Sequence, residues 1–87
     1  MEPNDANRSR VPTVLRVSGY RFYFWSDEGV EPAHVHVRRA GDYAKFWLEP
    51  VRIAQSYGFR RSELTLLTRV AVEHSPRLLE SWYAYFA

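Results

Sequence analysis

Between Pro32 and Leu48 the chain alternates in a way that suits a β-hairpin and little else. In Pro32-Ala33-His34-Val35-His36-Val37 the valines and histidines take alternate positions. Strand side chains point to opposite faces with a period of two, so Val35 and Val37 share one face and His34 and His36 the other. The two imidazoles then stand roughly 7 Å apart at their backbones, two residues of strand rise. Arg39-Ala40-Gly41-Asp42-Tyr43 carries turn chemistry, and Ala44-Lys45-Phe46-Trp47-Leu48 is an aromatic-rich second strand. With Gly41-Asp42 at the tip, Val37 faces Phe46, Val35 faces Leu48, His36 faces Trp47 and His34 faces Glu49. A one-residue slip would put the histidines among Phe46 and Leu48, so the pattern selects against it. The weak point is Arg38 opposite Lys45, a like-charge pair that an acidic neighbour or ligand would relieve.

The flanking chain fits the same architecture. Thr13 to Val17 reads as a strand, Ser18-Gly19 as a turn and Tyr20 to Trp25 as a second strand. Tyr20, Phe22 and Phe24 are assigned to the core, and Arg21, Tyr23 and Trp25 to the opposite face. Ser26 to Ala33 is an acidic loop, from which Asp27, Glu28 or Glu31 could fold back as a carboxylate near His34. Val51 to Tyr57, after Pro50, fits a short strand or a one-turn helix, with the strand preferred, and Gly58 ends it. Ser62 is the expected helix N-cap, with Glu63 in the first turn. Leu64, Leu67, Ala71, His74, Leu78, Trp82 and Tyr85 recur at three- and four-residue spacing, the stripe of an amphipathic helix. Ser75-Pro76 predicts a second helix over about 76–86, and one helix kinked at Pro76 is the alternative. The expected fold is α+β: an antiparallel sheet of four or five strands, built from two successive hairpins, with one or two C-terminal helices on one face. Residues 1–11 are polar and without periodicity and are expected to be a disordered extension of a single domain over 12–87.

Composition limits the functional classes. The 87 residues contain 14 aromatics, enough to give a short chain a real core. There is no cysteine, so neither a disulfide nor a thiolate metal site is available, which fits a cytoplasmic protein. No run of about 18 apolar residues exists to span a membrane. The net charge is only +2, but eleven of the twelve basic residues are arginine, the side chain that forks onto phosphates and carboxylates. Four glycines form no phosphate-binding loop, and no serine sits in a nucleophile elbow.

The histidine face is the candidate site, and it admits three kinds of chemistry. His34 and His36 could ligate a divalent metal, with Glu49 as a third ligand. They could act as an acid–base pair on a ribose 2′-hydroxyl, with Lys45 or Arg38 on the phosphate. They could also be contact residues of a binding surface that includes Arg21, Arg38, Trp25, Trp47 and Glu49. The two tryptophans would stack a base or fill a partner's pocket. No cofactor is required by the sequence.

Several segments together resemble the bacterial "domain of unknown function 4160" (DUF4160) family. They are Pro12-Thr13-Val14-Leu15-Arg16, Gly19-Tyr20-Arg21-Phe22, Glu31-Pro32, His34-Val35-His36-Val37, Ala44-Lys45-Phe46-Trp47-Leu48 and Tyr57-Gly58-Phe59. The resemblance runs on through Glu63-Leu64 to Leu79-Glu80 and Trp82 and covers roughly residues 11–87. It carries no established activity. It implies a gene often paired with another short reading frame, as in toxin–antitoxin modules, and so a small protein partner encoded nearby. A small ribonuclease or RNA-binding toxin and a divalent-metal-binding domain are the alternatives.

Overall fold

The structure, a computed structural model, describes residues 13–25 and 30–86. The expected N-terminal extension, Asp27 and Glu28 lie outside these residues. Five strands run in the order β1 (Thr13–Val17), β2 (Tyr20–Tyr23), β3 (His34–Arg39), β4 (Asp42–Leu48) and β5 (Val51–Tyr57). Every neighbouring pair is antiparallel, and the spatial order equals the sequence order. Two helices follow, α1 (Arg61–Glu73) and α2 (Ser75–Tyr85). The expected α+β fold, sheet first and helices last, is the observed one.

The β1–β2 turn is the predicted Ser18-Gly19, both residues at positive φ (49° and 84°). Such a turn matches the right-handed twist of the strands it joins. The β3–β4 hairpin departs from expectation. Its tip is Ala40-Gly41, with Arg39 paired to Asp42, Val37 to Ala44, His36 to Lys45, Val35 to Phe46 and His34 to Trp47. The predicted register is therefore wrong by two residues. An even shift leaves every side chain on its predicted face, so alternation could not have detected it. Ala40 accepts the left-handed conformation (φ 53°), and Asp42 then joins the strand opposite Arg39. Arg38 consequently faces Tyr43, and the expected Arg38–Lys45 clash does not arise.

Gly58 ends β5 at φ 90°. A Cβ there would lie 3.0 Å from Asp42 Cγ and 3.1 Å from Asp42 Cα, so both the backbone conformation and the close approach require glycine.

The apolar face of the sheet carries the core. Tyr20, Phe22, Phe24, Val35, Val37, Ala44, Phe46 and Leu48 are buried against Phe59, Leu67, Val70, Ala71, Leu78 and Trp82. The helical stripe is largely as predicted. Tyr85, however, is 38% exposed, while Leu79 and Phe86 pack on the core instead. The first helix starts two residues earlier than expected. Arg60 is its N-cap, so Ser62 sits inside the first turn. The cap is made by Glu63, which accepts the Arg60 backbone N–H (3.0 Å). The chain does break near Pro76: His74 separates the two helices, and Ser75 and Pro76 begin α2.

Glu63 also accepts from the Tyr20 hydroxyl (2.9 Å) and faces Arg39 (3.8 Å). The Arg60 N–H, then the Tyr20 hydroxyl, hold its carboxyl below the usual range. A carboxylate whose pKa falls on folding stabilises the fold above its unfolded pKa, and the contribution is lost as pH falls through the folded value. Glu63→Gln is thus expected to be less stable than wild type at neutral pH, with the gap closing through the acidic carboxylate range. Chemical denaturation at several pH values tests this, and a gap that persists unchanged into acid would refute it.

Candidate functional site: a cation and aromatic layer on the far sheet face

The face turned away from the helices is set by the strand registers. Residues paired across strands share a face. Arg21 of β2 pairs with Arg38 of β3, and Tyr23 with His36. Arg38 pairs with Tyr43 of β4, His36 with Lys45 and His34 with Trp47. Tyr43 pairs with Tyr57 of β5, Lys45 with Gln55 and Trp47 with Arg52. These residues form one layer of cations and rings.

The histidines are the floor of that layer. His34 is 0% exposed and His36 is 2% exposed. Their rings meet edge to face with centroids 5.1 Å apart. His34 Nδ1 lies 2.9 Å from the Pro32 carbonyl. A carbonyl can only accept, so Nδ1 carries the proton of this bond. The His34 ring also packs against Trp82 of α2 (4.9 Å) and Trp47 (5.7 Å). His36 Nδ1 is 2.7 Å from the Tyr43 hydroxyl, and its ring stacks between Tyr23 (5.3 Å) and Tyr43 (5.8 Å). Both imidazoles are thus packed and hydrogen-bonded.

The cations lie over rings. Arg38 Nε donates to the Tyr23 hydroxyl (2.9 Å), its guanidinium stands 5.0 Å from the Tyr43 ring centre, and Tyr57 holds it as well. The Tyr23 bond pushes the Arg38 pKa further up, so the guanidinium is permanently charged. Burial pushes the Tyr23 phenol up, and Arg38 opposes this only in part. Tyr23 therefore stays neutral. Arg21 lies 4.7 Å from the Tyr23 ring centre and donates from Nε to Thr13 Oγ1 (2.7 Å). Lys45 Nζ lies 4.7 Å from the Trp47 ring centre and pairs with Glu31 at 2.8 Å. Such stacking is worth about 0.5–1 kcal/mol at exposed sites and more where water is excluded.

The structure brings most of the predicted site residues together: His34, His36, Lys45, Arg21, Arg38, Trp47 and Trp25, the last 6.3 Å from the His36 ring. Glu49 is the exception. The two-residue register shift puts Trp47 opposite His34, and Glu49 instead accepts from Tyr83 of α2 (2.9 Å). Glu31 takes the place Glu49 was expected to fill, 3.7 Å from His34 Nδ1. Among the described residues no three His, Cys, Asp or Glu side chains converge in a metal-holding group. Sequence reading missed Tyr43, Tyr57 and Arg52. Tyr43 reads as a turn residue in the sequence and is a strand residue in the fold. Arg52 could be found only by continuing the register from β4 into β5.

The family profile for a domain of unknown function, DUF4160, matches residues 19–83 of the chain. The chain belongs to the DUF4160 family. The match spans β2 through most of α2, and so contains the far-face layer apart from Thr13 and Arg16 of β1. Comparison of this DUF4160 domain with curated proteins and with solved structures returned no match. No helix among its described residues is long and apolar enough to cross a membrane.

Proposed function

We propose that this DUF4160 domain is a binding module for RNA, contacting it through the far sheet face, and that it acts as one component of a toxin–antitoxin-like pair. The observation that carries the RNA reading is the layer itself. Arg21, Arg38, Lys45 and Arg52 share one face with Trp25, Tyr43, Trp47 and Tyr57. Cations supply phosphate contacts and rings supply stacking surfaces for bases. The burial and hydrogen bonding of His34 and His36 favour binding over histidine catalysis. A general base must reach the proton it removes. Metal ligation is supported least, because no third His, Cys, Asp or Glu side chain converges with the two rings among the described residues.

The test is incubation of the purified protein with total RNA over a range of salt concentrations. Binding that weakens linearly in log salt, with the RNA intact, is the expected result. RNA cleavage that a His36 variant abolishes would replace the binding module with a ribonuclease. Absence of any salt-dependent binding would refute the proposal.

A small protein partner encoded nearby is the second reading. Edge strand β5 favours it, since all its residues but Val51 are exposed, Ile53 and Tyr57 at 42% and 56%. An exposed sheet edge is a template for strand addition. A stable complex with the neighbouring gene product after co-expression, abolished by Ile53→Lys, would establish it. Indifference to that product would dispose of it.

A further inference from the structure

Arg16 of β1 pairs with Arg21, so the registers place five cations on the far face, and the four from β2 to β5 are not scattered. They follow one diagonal, visible only when the three registers are laid side by side. Arg21 and Arg38 are directly paired across β2 and β3. Lys45 on β4 pairs with His36, two residues along β3 from Arg38. Arg52 on β5 pairs with Trp47, two residues along β4 from Lys45. The step from Arg21 to Arg38 is therefore about 5 Å, one strand spacing. Each later step crosses one strand and advances two residues, about 8 Å. The stripe descends across four strands, from the β2–β3 pair to the outer edge of the sheet at β5.

Rings flank the stripe on both sides. Tyr43 and Tyr57 lie above it, their ring centres 5.3 Å apart. Tyr23, Trp25 and Trp47 lie below it. Trp25 and Tyr57 are 40% and 56% exposed, and Arg52 is exposed as well. Glu31 touches the stripe at Lys45.

The geometry points to a single-stranded RNA laid along this diagonal, phosphates on Arg21, Arg38, Lys45 and Arg52, and unpaired bases turned onto Tyr57 and the tryptophans. This inference rests on the RNA-binding reading above and adds the path and the strandedness. Charge complementarity identifies a polyanion, and the rings beside the charges identify one with free base faces. A duplex offers a similar charge density but keeps its bases stacked inside, so it gains nothing from the rings. Arg52, which alternation along one hairpin does not reveal, becomes the outermost phosphate contact.

Fluorescence anisotropy decides the matter. The probes are a short labelled single-stranded RNA of mixed sequence and the same strand annealed to its complement, each titrated over a salt series. The single strand is expected to bind at least about ten-fold tighter than the duplex. Its log affinity is expected to fall against log salt with a slope of about −2 to −3, near 0.7 per neutralised phosphate and reduced at Lys45 by Glu31. Arg52→Gln should lower the magnitude of that slope by about 0.7. Tyr57→Ala should weaken binding about five-fold or more and leave the slope unchanged. Arg69→Gln, on α1, should change neither. Both Arg52 and Tyr57 are exposed on an edge strand, and circular dichroism verifies that their variants fold. Equal affinity for strand and duplex, or an unchanged slope in Arg52→Gln, would overturn the diagonal path while leaving RNA binding standing. No salt-dependent binding of either probe would overturn both. Binding of the neighbouring gene product that abolishes all RNA affinity in the native complex would move the face to a protein ligand.

Discussion

Replacing Trp82 with alanine is expected to cost about 3–5 kcal/mol, the range for deleting a large buried aromatic. Trp82 is 3% exposed. Its ring meets Phe24 edge to face at 5.3 Å, Phe86 at 4.1 Å and His34 at 4.9 Å. It is the contact through which the last helix holds both the apolar core and the start of the histidine strand. A domain of this size has a total stability on the order of 5–10 kcal/mol, so the variant should lose roughly a third of it or more. Urea unfolding measures the effect, with a lower midpoint at an unchanged slope. A shift below about 1 kcal/mol would show that α2 is peripheral to the fold.

His34→Ala is expected to destabilise by about 2–4 kcal/mol, through a cavity between Trp82 and Trp47 and the loss of the bond donated to the Pro32 carbonyl. For a domain of this length that is a fall in Tm of roughly 10–25 °C. A change of only a degree or two would return His34 to the status of a surface residue. The consequence for functional work is direct. His34 and His36 touch, so their alanine substitutions will not be independent. Loss of function in the double variant would report unfolding as readily as lost chemistry. His36→Phe keeps a ring between Tyr23 and Tyr43 and removes the imidazole, and so separates the two.

How far the site was legible from sequence differs from residue to residue. Alternation put Val35 and Val37 in the core and His34 and His36 together on the other face, and both placements hold. It also put Arg38, Lys45 and Trp47 with them. It could not put Glu49 in its place or bring in Tyr43, because a register shifted by two preserves every face and changes every partner. The burial of the histidines was equally out of reach. A period of two assigns a face, and whether that face is wet depends on what lies over it. Here Tyr23, Tyr43, Trp47 and Trp82 pack around the imidazoles, and they come from three different elements.

Local sequence thus determined the parts: four strands and the candidate for a fifth, with their inward and outward sides, the Ser18-Gly19 turn, the break near Pro76 and the stripe that binds helix to sheet. These depend on backbone preferences and on periodicity, which are properties of neighbouring residues. Tertiary structure alone decided the pairing partners, the removal of Glu49 from His34 to Tyr83, and the diagonal that joins Arg21 to Arg52. Those depend on how turns set the register and on which side chains, distant in sequence, compete for the same space. That selection is made by packing and electrostatics in the assembled fold.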